Sequence, residues 1–343
     1  MLKQLAAAAL VAGMAMVPLS AEVQAQDVTL KLHQFLALRA TIPARFLTPW
    51  IEKVQQESGG RIAVQHFPSM QLGGKPPELI EQATDGAVDL VWTVLGYTPG
   101  RFQRAEAFEL PFIMTTGEAT SRAFQEYAER HMANDFPGLK VIAVHTHGPG
   151  VLHTKAPVNA LADLEGMKLR GPTRVITGML GKLGAVPVGM PVPAMPQALS
   201  KGVIDGTVIP WEITLPLKIS ELVENHTEFT GEHGLYTATF VFAMNRDSYD
   251  NLPDDLKQVI DANSGIETAA WAGRVMDAGD VAGRGKAAAD GNNIVTLDAA
   301  ETARWAVAAS SVVSDWVAEM NDRGIDGQAL VDEAKALVEK HSR

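Results

Sequence analysis

The sequence predicts an α/β protein built from two similar lobes. Strand patterns and helix patterns alternate through the first part of the chain, which is typical of a doubly wound sheet, and the same order returns in the middle of the chain. Two short signatures, Asp85-Gly-Ala-Val-Asp89 and Lys201-Gly-Val-Ile-Asp205, each end a helix with glycine and open an apolar strand with an acid. This echo indicates that two parts of the chain share one plan.

Each element of this plan is predicted from the spacing of its apolar residues. Alternating or β-branched runs predict strands, and three- and four-residue spacing predicts helices. In the first part of the chain the strands are 28–35, 61–67 and 88–95, with helices at 43–56 and about 77–84. In the second part the strands are 139–147, 168–170, 185–188 and 203–210, with a short connection at 158–164 and helices at 175–183 and 197–201.

The remainder of the chain is predicted to be mostly helical. The apolar run 235–244 could pass from one lobe to the other. A helical stretch then opens at Pro253, which suits a first turn, and Asp254 and Asp255 complement the positive end of the helix dipole. Further helices are predicted at 299–319 and 327–340. We therefore expect a sheet core in two lobes with a helical tail.

The first 25 residues have the pattern of a secretory signal peptide. Lys3 supplies the positive start, 5–17 is apolar apart from Gly13, and Val23-Gln24-Ala25 offers small side chains at the cleavage positions. The apolar run is too short to span a membrane comfortably, and no later segment approaches 18 uninterrupted apolar residues. We expect a mature protein that begins at Gln26, is exported to the periplasm and is not embedded in a membrane.

Composition excludes several classes of function. The net charge of −11 and the absence of any basic run argue against a nucleic-acid partner, since binding to phosphates needs clustered Lys and Arg. With no cysteine, the chain has no disulfide, no thiol nucleophile and no site for lipid attachment. A chain of 343 residues that is 46% hydrophobic can instead rely on a large core in two domains.

No motif of an enzyme or a cofactor site is present. The sequence lacks a Gly-x-Ser-x-Gly elbow, His-Glu-x-x-His, a phosphate loop and a Gly-x-Gly-x-x-Gly turn. The nearest approach to a metal site is His145-Thr-His147, with His153 further on and no local acid, and ordinary hydrogen-bonded histidines are the more common explanation. We expect no catalytic residue, metal or cofactor; the alternative is an exported metal-assisted hydrolase that uses His145, His147 and Glu212.

An arginine and a group of aromatic residues lie at predicted strand ends. Arg170 ends a short strand and precedes a helix, which is where ligands bind in open α/β sheets, and its guanidinium can grip a carboxylate. Trp92 and Tyr97 flank one glycine-acid strand and Trp211 follows the other. The simpler explanations are a surface arginine and core aromatics; the paired positions favour the walls of a cleft that binds a small acid.

Motifs along nearly the whole mature chain resemble the extracytoplasmic solute-binding subunits of TRAP transporters, the tripartite ATP-independent periplasmic carriers that import mainly organic acids. Each motif is modest, and their order and spacing carry the resemblance. They are Met70-Gln-Leu-Gly-Gly74, Gly86-Ala-Val-Asp89, Glu109-Leu-Pro-Phe112, Leu164-Glu-Gly-Met-Lys-Leu-Arg170, Ala198-Leu-Ser-Lys-Gly-Val-Ile-Asp-Gly206, Met244-Asn245 and Leu252-Pro253.

The resemblance implies a two-lobe periplasmic binding protein fold, with crossing strands and a long helix that spans both lobes. Lobe I is expected at 26–147 plus about 236–275, and lobe II at 148–235 plus about 276–343 with the C-terminal helices. The lobes would close on a ligand and deliver it to TRAP membrane subunits. A ligand sensor for a membrane receptor remains an alternative.

The resemblance also implies roles for single residues. Arg170 matches the family's carboxylate-binding arginine, Thr173 a frequent side-chain contact, and Ile209, Pro210 and Trp211 the segment that faces the ligand. Gly150 stands where members that bind sialic acid carry a second arginine, and Ile209 replaces a usual polar residue. These departures favour a less polar monocarboxylate, such as an aromatic or 2-oxo acid, over a sugar acid, while C4-dicarboxylates stay open. The full set of predicted ligand-binding residues is Arg170, Trp211, Trp92, Thr173, Tyr97, His147, Gly150, Ile209, Pro210, Glu212, Phe35, His33 and Gln71.

Overall fold

A computed structural model describes residues 27–343 of the chain. The predicted signal peptide at 1–25 and its cleavage site lie outside the described residues. No helix within residues 27–343 is both long enough and apolar enough to cross a membrane.

Eleven strands of the described chain form two sheets, one in each lobe. They are β1 Val28–Gln34, β2 Ile62–Phe67, β3 Leu90–Val94, β4 Leu139–Thr146, β5 Val151–Thr154, β6 Lys168–Gly171, β7 Val186–Gly189, β8 Gly206–Ile209, β9 Asn225–Phe229, β10 Thr239–Asn245 and β11 Asn293–Leu297. The five-stranded sheet of the first lobe has the order β2-β1-β3-β10-β4, and the six-stranded sheet of the second lobe has the order β11-β9-β5-β8-β6-β7.

The two lobes are joined by crossing segments. The chain leaves the first sheet after β4, enters the second at β5, and returns after β9 to form β10. Strand β10 pairs antiparallel with β3 and with β4, and all seven of its residues are buried. The apolar run 235–244 therefore belongs to the core of the first lobe and carries the return crossing, as the sequence predicted.

Helices cover both sheets. The α-helices are α1 Thr48–Glu57, α2 Leu79–Thr84, α3 Gly117–His131, α4 Arg174–Lys182, α5 Met195–Ser200, α6 Thr214–Leu217, α7 Arg246–Asp250, α8 Asp254–Ala262, α9 Ile266–Ala289, α10 Ala299–Asp322 and α11 Gly327–Ser342. A π-helical turn at Pro43–Leu47 precedes α1. Short 3-10 helices lie at Pro76–Glu78, Leu95–Tyr97, Gln103–Glu109, Leu161–Leu164, Val192–Ala194, Trp211–Ile213 and Ile219–Glu221.

Helix α9 spans both lobes. Its 24 residues, about 36 Å at the usual rise, contact α3 and β4 on one side and α6 and the Trp211–Ile213 turn on the other. Asp277 accepts hydrogen bonds from the backbone amides of Gly117 (2.6 Å) and Glu118 (2.9 Å) at the start of α3. One turn further on, Asp280 accepts the amide of Glu212 at 2.7 Å. Two carboxylates of one helix thus cap a helix start in each lobe.

The predicted fold class is confirmed: this is a two-lobe α/β fold with crossing strands and a long shared helix. One detail of the predicted domain division needs correction. The C-terminal helices were assigned together to the second lobe, but only α10 packs on α4 there, whereas α11 lies against α3 of the first lobe. Ion pairs hold α11 in place, from Lys340 to Glu126 and from Glu333 to Arg130, each at 2.8 Å.

Several elements were not assigned from the sequence, among them α3, β5, α6, β9 and β11. Strand β9, Asn225-His-Thr-Glu-Phe229, has almost no apolar residues. Strand β11 is one of the two edges of its sheet, where only β9 pairs with it. Such strands are defined by their partners rather than by their own composition, because pairing and burial decide most of a strand's stability.

Candidate functional site

A cavity lies between the lobes, lined by both. The space between the lobes is about 410 Å³, and it is called the slot below. The first lobe and the crossing segments contribute Phe35, Leu36, Trp92, Val94, Tyr97, His147, Tyr236, Ala238 and Phe240. The second lobe contributes Arg170, Pro172, Val192, Ile209, Pro210, Glu212 and Ile213.

Arg170 is the one arginine or lysine among the described residues that line this cavity, and it is only 1% exposed. It lies on β6, where it donates from Nε to the Met190 carbonyl at 2.8 Å and from Nη1 toward the Val208 carbonyl at 3.4 Å. Its Nη2 is buried without a partner, and no carboxylate within residues 27–343 forms an ion pair with it. A buried guanidinium with a free N–H group is poised to receive an anion.

A stack of aromatic rings forms one wall. Trp92 stacks between Phe35 and Phe240, with ring centroids 5.0 Å apart on each side. Its indole N–H donates to Nε2 of His145 at 2.8 Å, which fixes the plane of the ring. The ring of an aromatic ligand can pack against such a wall.

Two tyrosines lie close to the arginine. The positive charge of Arg170 lowers the pKa of Tyr97 and of Tyr236, although burial raises both pKa values more strongly. The Tyr97 hydroxyl accepts the Val192 amide at 2.9 Å, whereas the Tyr236 hydroxyl is buried without a partner. The Tyr236 and Arg170 side chains thus offer two unpaired donors in one cavity.

Tyr236, Ala238 and Phe240 are cavity residues that the sequence reasoning missed. They alternate along the chain at and beyond the return crossing, so they share one face of an extended segment. That alternation was a usable signal, because the run 235–244 had already been predicted to pass between the lobes.

Gly150 does not line the cavity; it makes room for a cavity residue. A Cβ atom at this position would lie 2.0 Å from the Tyr236 ring, and the Gly150 amide donates to the Tyr236 carbonyl at 2.9 Å. The absence of an arginine here is therefore coupled to the presence of the tyrosine.

The two histidines of His145-Thr-His147 are neutral and fully occupied by protein groups. Nε2 of His145 accepts from Trp92, and Nε2 of His147 accepts from the Ala238 amide at 3.0 Å while its Nδ1 donates to the Gly148 carbonyl. Burial lowers the pKa of His145 to about 3 and that of His147 to about 4. Among residues 27–343 no group of three His, Cys, Asp or Glu side chains is arranged to hold a metal ion.

Besides Arg170, the cavity wall contains one acidic residue, Glu212, among the described lining residues. It is 5% exposed, its Oε2 has no partner, and burial raises its pKa to about 7, partly offset by the Thr41 hydroxyl. The neighbouring Trp211 points the other way, a correction to its expected place in the cleft. Its indole N–H donates to Glu228 at 2.8 Å and its ring packs on Val151 and Ala287. Of this adjacent pair, Glu212 lines the cavity and Trp211 does not.

The other predicted residues divide between the cavity and the surrounding structure. Phe35, Tyr97, Ile209 and Pro210 line the cavity. His33 lies outside it, bonded to Gln82 at 2.7 Å, and Gln71 is exposed on a turn. Their positions do not support the expectation that they touch a ligand, because neither residue lines the cavity.

Thr173 joins the lobes instead of lining the cavity. Its hydroxyl donates to Glu109 at 2.6 Å, and the other oxygen of Glu109 accepts from the Thr239 hydroxyl at 2.9 Å and the Thr239 amide at 3.2 Å. Glu109 belongs to the first lobe and Thr173 begins α4 of the second. This contact connects the two lobes directly next to the segment that carries Arg170.

The Glu109 contact should make stability depend on pH. Burial raises the pKa of Glu109 to about 7, with the Thr173 bond opposing and the nearby Glu106 adding to the shift. The folded protein therefore favours the protonated carboxyl, and its contribution to stability falls as pH rises from the ordinary glutamate pKa through about 7. Relative to Glu109→Gln, the wild-type free energy of unfolding should fall by about 2 kcal/mol between about pH 5 and about pH 7. Urea titrations at several pH values would measure this, and a constant difference would refute it.

Comparison with known proteins identifies the family. Residues 39–320 match the sequence profile of bacterial extracellular solute-binding protein, family 7. The chain belongs to this family. The resemblance to TRAP solute-binding subunits predicted from the motifs is confirmed, and the protein is a TRAP solute-binding protein.

Solved structures of TRAP solute-binding proteins share the fold over nearly their whole length. One from Rhodoferax ferrireducens T118, in complex with copurified benzoate, is 51% identical, covers 92% of this chain and 98% of its own, and has a TM-score of 0.90. One from a marine metagenome, with co-crystallised 3-hydroxybenzoate, is 50% identical, covers 93% and 100%, and has a TM-score of 0.91. A third from Bordetella bronchiseptica, with bound (R)- and (S)-mandelate, is 28% identical, covers 91% and 99%, and has a TM-score of 0.84.

Proposed function

We propose that this TRAP solute-binding protein captures a small aromatic monocarboxylate in the periplasm and delivers it to TRAP membrane subunits. The observation that carries the proposal is the buried, unpaired Nη2 of Arg170 in a slot walled by stacked aromatic rings. The carboxylate of the ligand would accept a hydrogen bond from Nη2 of Arg170, and its flat ring would fill the rest of the slot.

The carboxylate would bind Arg170 and Tyr236. Both carry a buried donor without a partner, and an unpaired buried donor destabilises the empty cavity until an acceptor arrives. The ring would pack against the aromatic wall that Phe35, Trp92 and Phe240 form. A second carboxylate would find no further arginine or lysine among the described lining residues, and the buried Glu212 would oppose it. This pattern favours monocarboxylates over C4-dicarboxylates.

Two structural relatives support the aromatic class. The proteins at about half sequence identity were solved with benzoate (51%) and 3-hydroxybenzoate (50%). For a 2-oxo acid without a ring, the aromatic wall would offer little hydrogen bonding to the oxo group.

Lobe closure would couple capture to delivery. Residues from both lobes surround the slot, so a ligand that touches both stabilises the closed arrangement, which membrane subunits can recognise. The hydrogen bond between Thr173 and Glu109 would form when the two lobes come together. The signal-peptide pattern at 1–25 supports a periplasmic location.

A metal-assisted hydrolase has less support. A metal at His145 or His147 would have to replace the bonds from Trp92 and the Ala238 amide, and Glu212 is in hydrogen-bond contact with neither histidine.

A panel of acids tests the proposal. Benzoate should raise the melting temperature and bind in calorimetry, whereas succinate, pyruvate and N-acetylneuraminate should bind at least tenfold more weakly, since one cation and an apolar wall cannot satisfy their additional polar groups. Prior treatment with EDTA should change neither result. Preferential binding of succinate or N-acetylneuraminate, or turnover restored by zinc, would contradict the proposal.

A further inference from the structure

The backbone of Glu212 is fixed in the cavity wall, while one oxygen of its carboxyl group, Oε2, has no hydrogen-bond partner. The Glu212 amide donates to Asp280 at 2.7 Å, and its carbonyl accepts the Thr41 hydroxyl at 3.2 Å. Helix α9 packs closely on Glu212 at Gly279, where an added Cβ atom would lie 2.7 Å from the Glu212 Cβ atom. The backbone and the Cβ atom of Glu212 are therefore held by three contacts, whereas its buried Oε2 meets no donor from the protein.

Glu212 and Arg170 serve different parts of the cavity. No hydrogen bond or ion pair joins these two side chains, although both are buried in the same wall. The charge of Arg170 lowers the pKa of Tyr97, Tyr236 and His147, whereas burial raises the pKa of Glu212 and the Thr41 hydroxyl opposes that shift. An acid bound at Arg170 thus leaves the Glu212 carboxyl free to contact another part of the ligand.

The chemistry of that second contact follows from the acceptor. A buried carboxyl oxygen without a partner is unfavourable, and a hydroxyl hydrogen is the group that satisfies it. A second carboxylate would be repelled by the ionised form of Glu212, and a bare ring edge would leave the oxygen unpaired. We propose that Glu212 determines specificity by accepting a hydrogen bond from a ring hydroxyl, so that the protein prefers hydroxy-substituted aromatic monocarboxylates to the unsubstituted acid. This inference rests on the proposed function and adds the substituent that the site selects.

Calorimetric titration with benzoate, 3-hydroxybenzoate and 4-hydroxybenzoate tests it. The wild-type protein should bind at least one hydroxybenzoate about tenfold or more tightly than benzoate, because a site built for a hydroxyl discriminates against the analogue that lacks it. In Glu212→Leu the ratio of the two affinities should fall toward one. Glu212→Gln, which keeps a carbonyl acceptor and nearly the same shape, should retain part of the preference and guards against a folding defect in the leucine variant.

Glu109→Gln is the matched control. Glu109 is also a buried glutamate between the lobes, but its oxygens are satisfied by Thr173 and Thr239 and it does not line the cavity. Its replacement should change the affinity for all three acids by the same factor and keep their ratio.

The outcomes separate this inference from the proposed function. Wild-type affinities for benzoate and both hydroxybenzoates that agree within about threefold would overturn the inference and leave the proposed function intact. The same holds if Glu212→Leu and Glu212→Gln weaken all three acids equally, because that result is expected of a purely structural residue. Absence of binding by all three acids would overturn both.

Discussion

Replacing Arg170 with methionine should lower the affinity for benzoate about thirtyfold or more. Removing one partner of a buried charge pair typically removes about 2–5 kcal/mol of binding free energy, and no other lysine or arginine of the described cavity wall can take over the carboxylate. Arg170→Lys should recover only part of the loss, because a lysine keeps the charge but not the planar fork. Isothermal titration calorimetry of the three proteins measures the effect.

The empty form of the Arg170 variant should be at least as stable as wild type. The guanidinium is buried without a counter-ion and with Nη2 unpaired, so an apolar side chain of similar length removes an unfavourable group. Lys168→Met is the matched control: it removes a positive charge from the same strand at an exposed position. Unchanged benzoate affinity in Arg170→Met, or an equal loss in Lys168→Met, would show that Arg170 does not hold the carboxylate.

Gly273→Ala should destabilise the empty protein by about 3 kcal/mol, near the upper end for overpacking. Helix α9 crosses the start of α3 so closely that a Cβ atom at Gly273 would lie 2.3 Å from the Gly117 carbonyl oxygen and 2.6 Å from its carbon. These are backbone atoms, so a side-chain rotation cannot relieve the clash. The helices must separate, which also weakens the bonds from Gly117 and Glu118 to Asp277. Urea unfolding monitored by circular dichroism gives the change.

Gly285→Ala in the same helix is its control. Gly285 is exposed and nothing lies within 4 Å of an added Cβ atom. Alanine there should stabilise the protein by about 0.5–1 kcal/mol, because glycine is the poorer helix former. Equal effects of the two substitutions would mean that helix propensity, and not the close contact between α9 and α3, governs position 273.

The sequence was sufficient for the features that depend on neighbouring residues in the chain. Alternation over 28–35 and helical spacing over 43–56 correspond to β1 and to the π-turn with α1, because side-chain direction repeats every 2 or 3.6 residues. The position of Arg170 at the end of a strand before a helix was read in the same way. The family resemblance added the expected long helix, which is α9.

The parts that could not be predicted involve residues brought together from distant segments. An amphipathic pattern showed that 327–340 is a helix, but any apolar surface could have received it, and its charged residues pair with α3. Strand β9 lacks an apolar pattern and is formed by its partners β5 and β11.

For the residues of the slot, too, some features follow from the sequence and others only from the tertiary structure. The sequence by itself determined the two α/β lobes, the absence of thiol chemistry and the arginine at a strand end. Only the tertiary structure decided that Glu212 faces the slot while Trp211 turns away, that Tyr236 fills the space left by Gly150, and that Nη2 of Arg170 has no protein partner. The physical reason is that local periodicity fixes which side chains share a face, whereas the packing of distant segments fixes which buried donors and acceptors remain unpaired for a ligand.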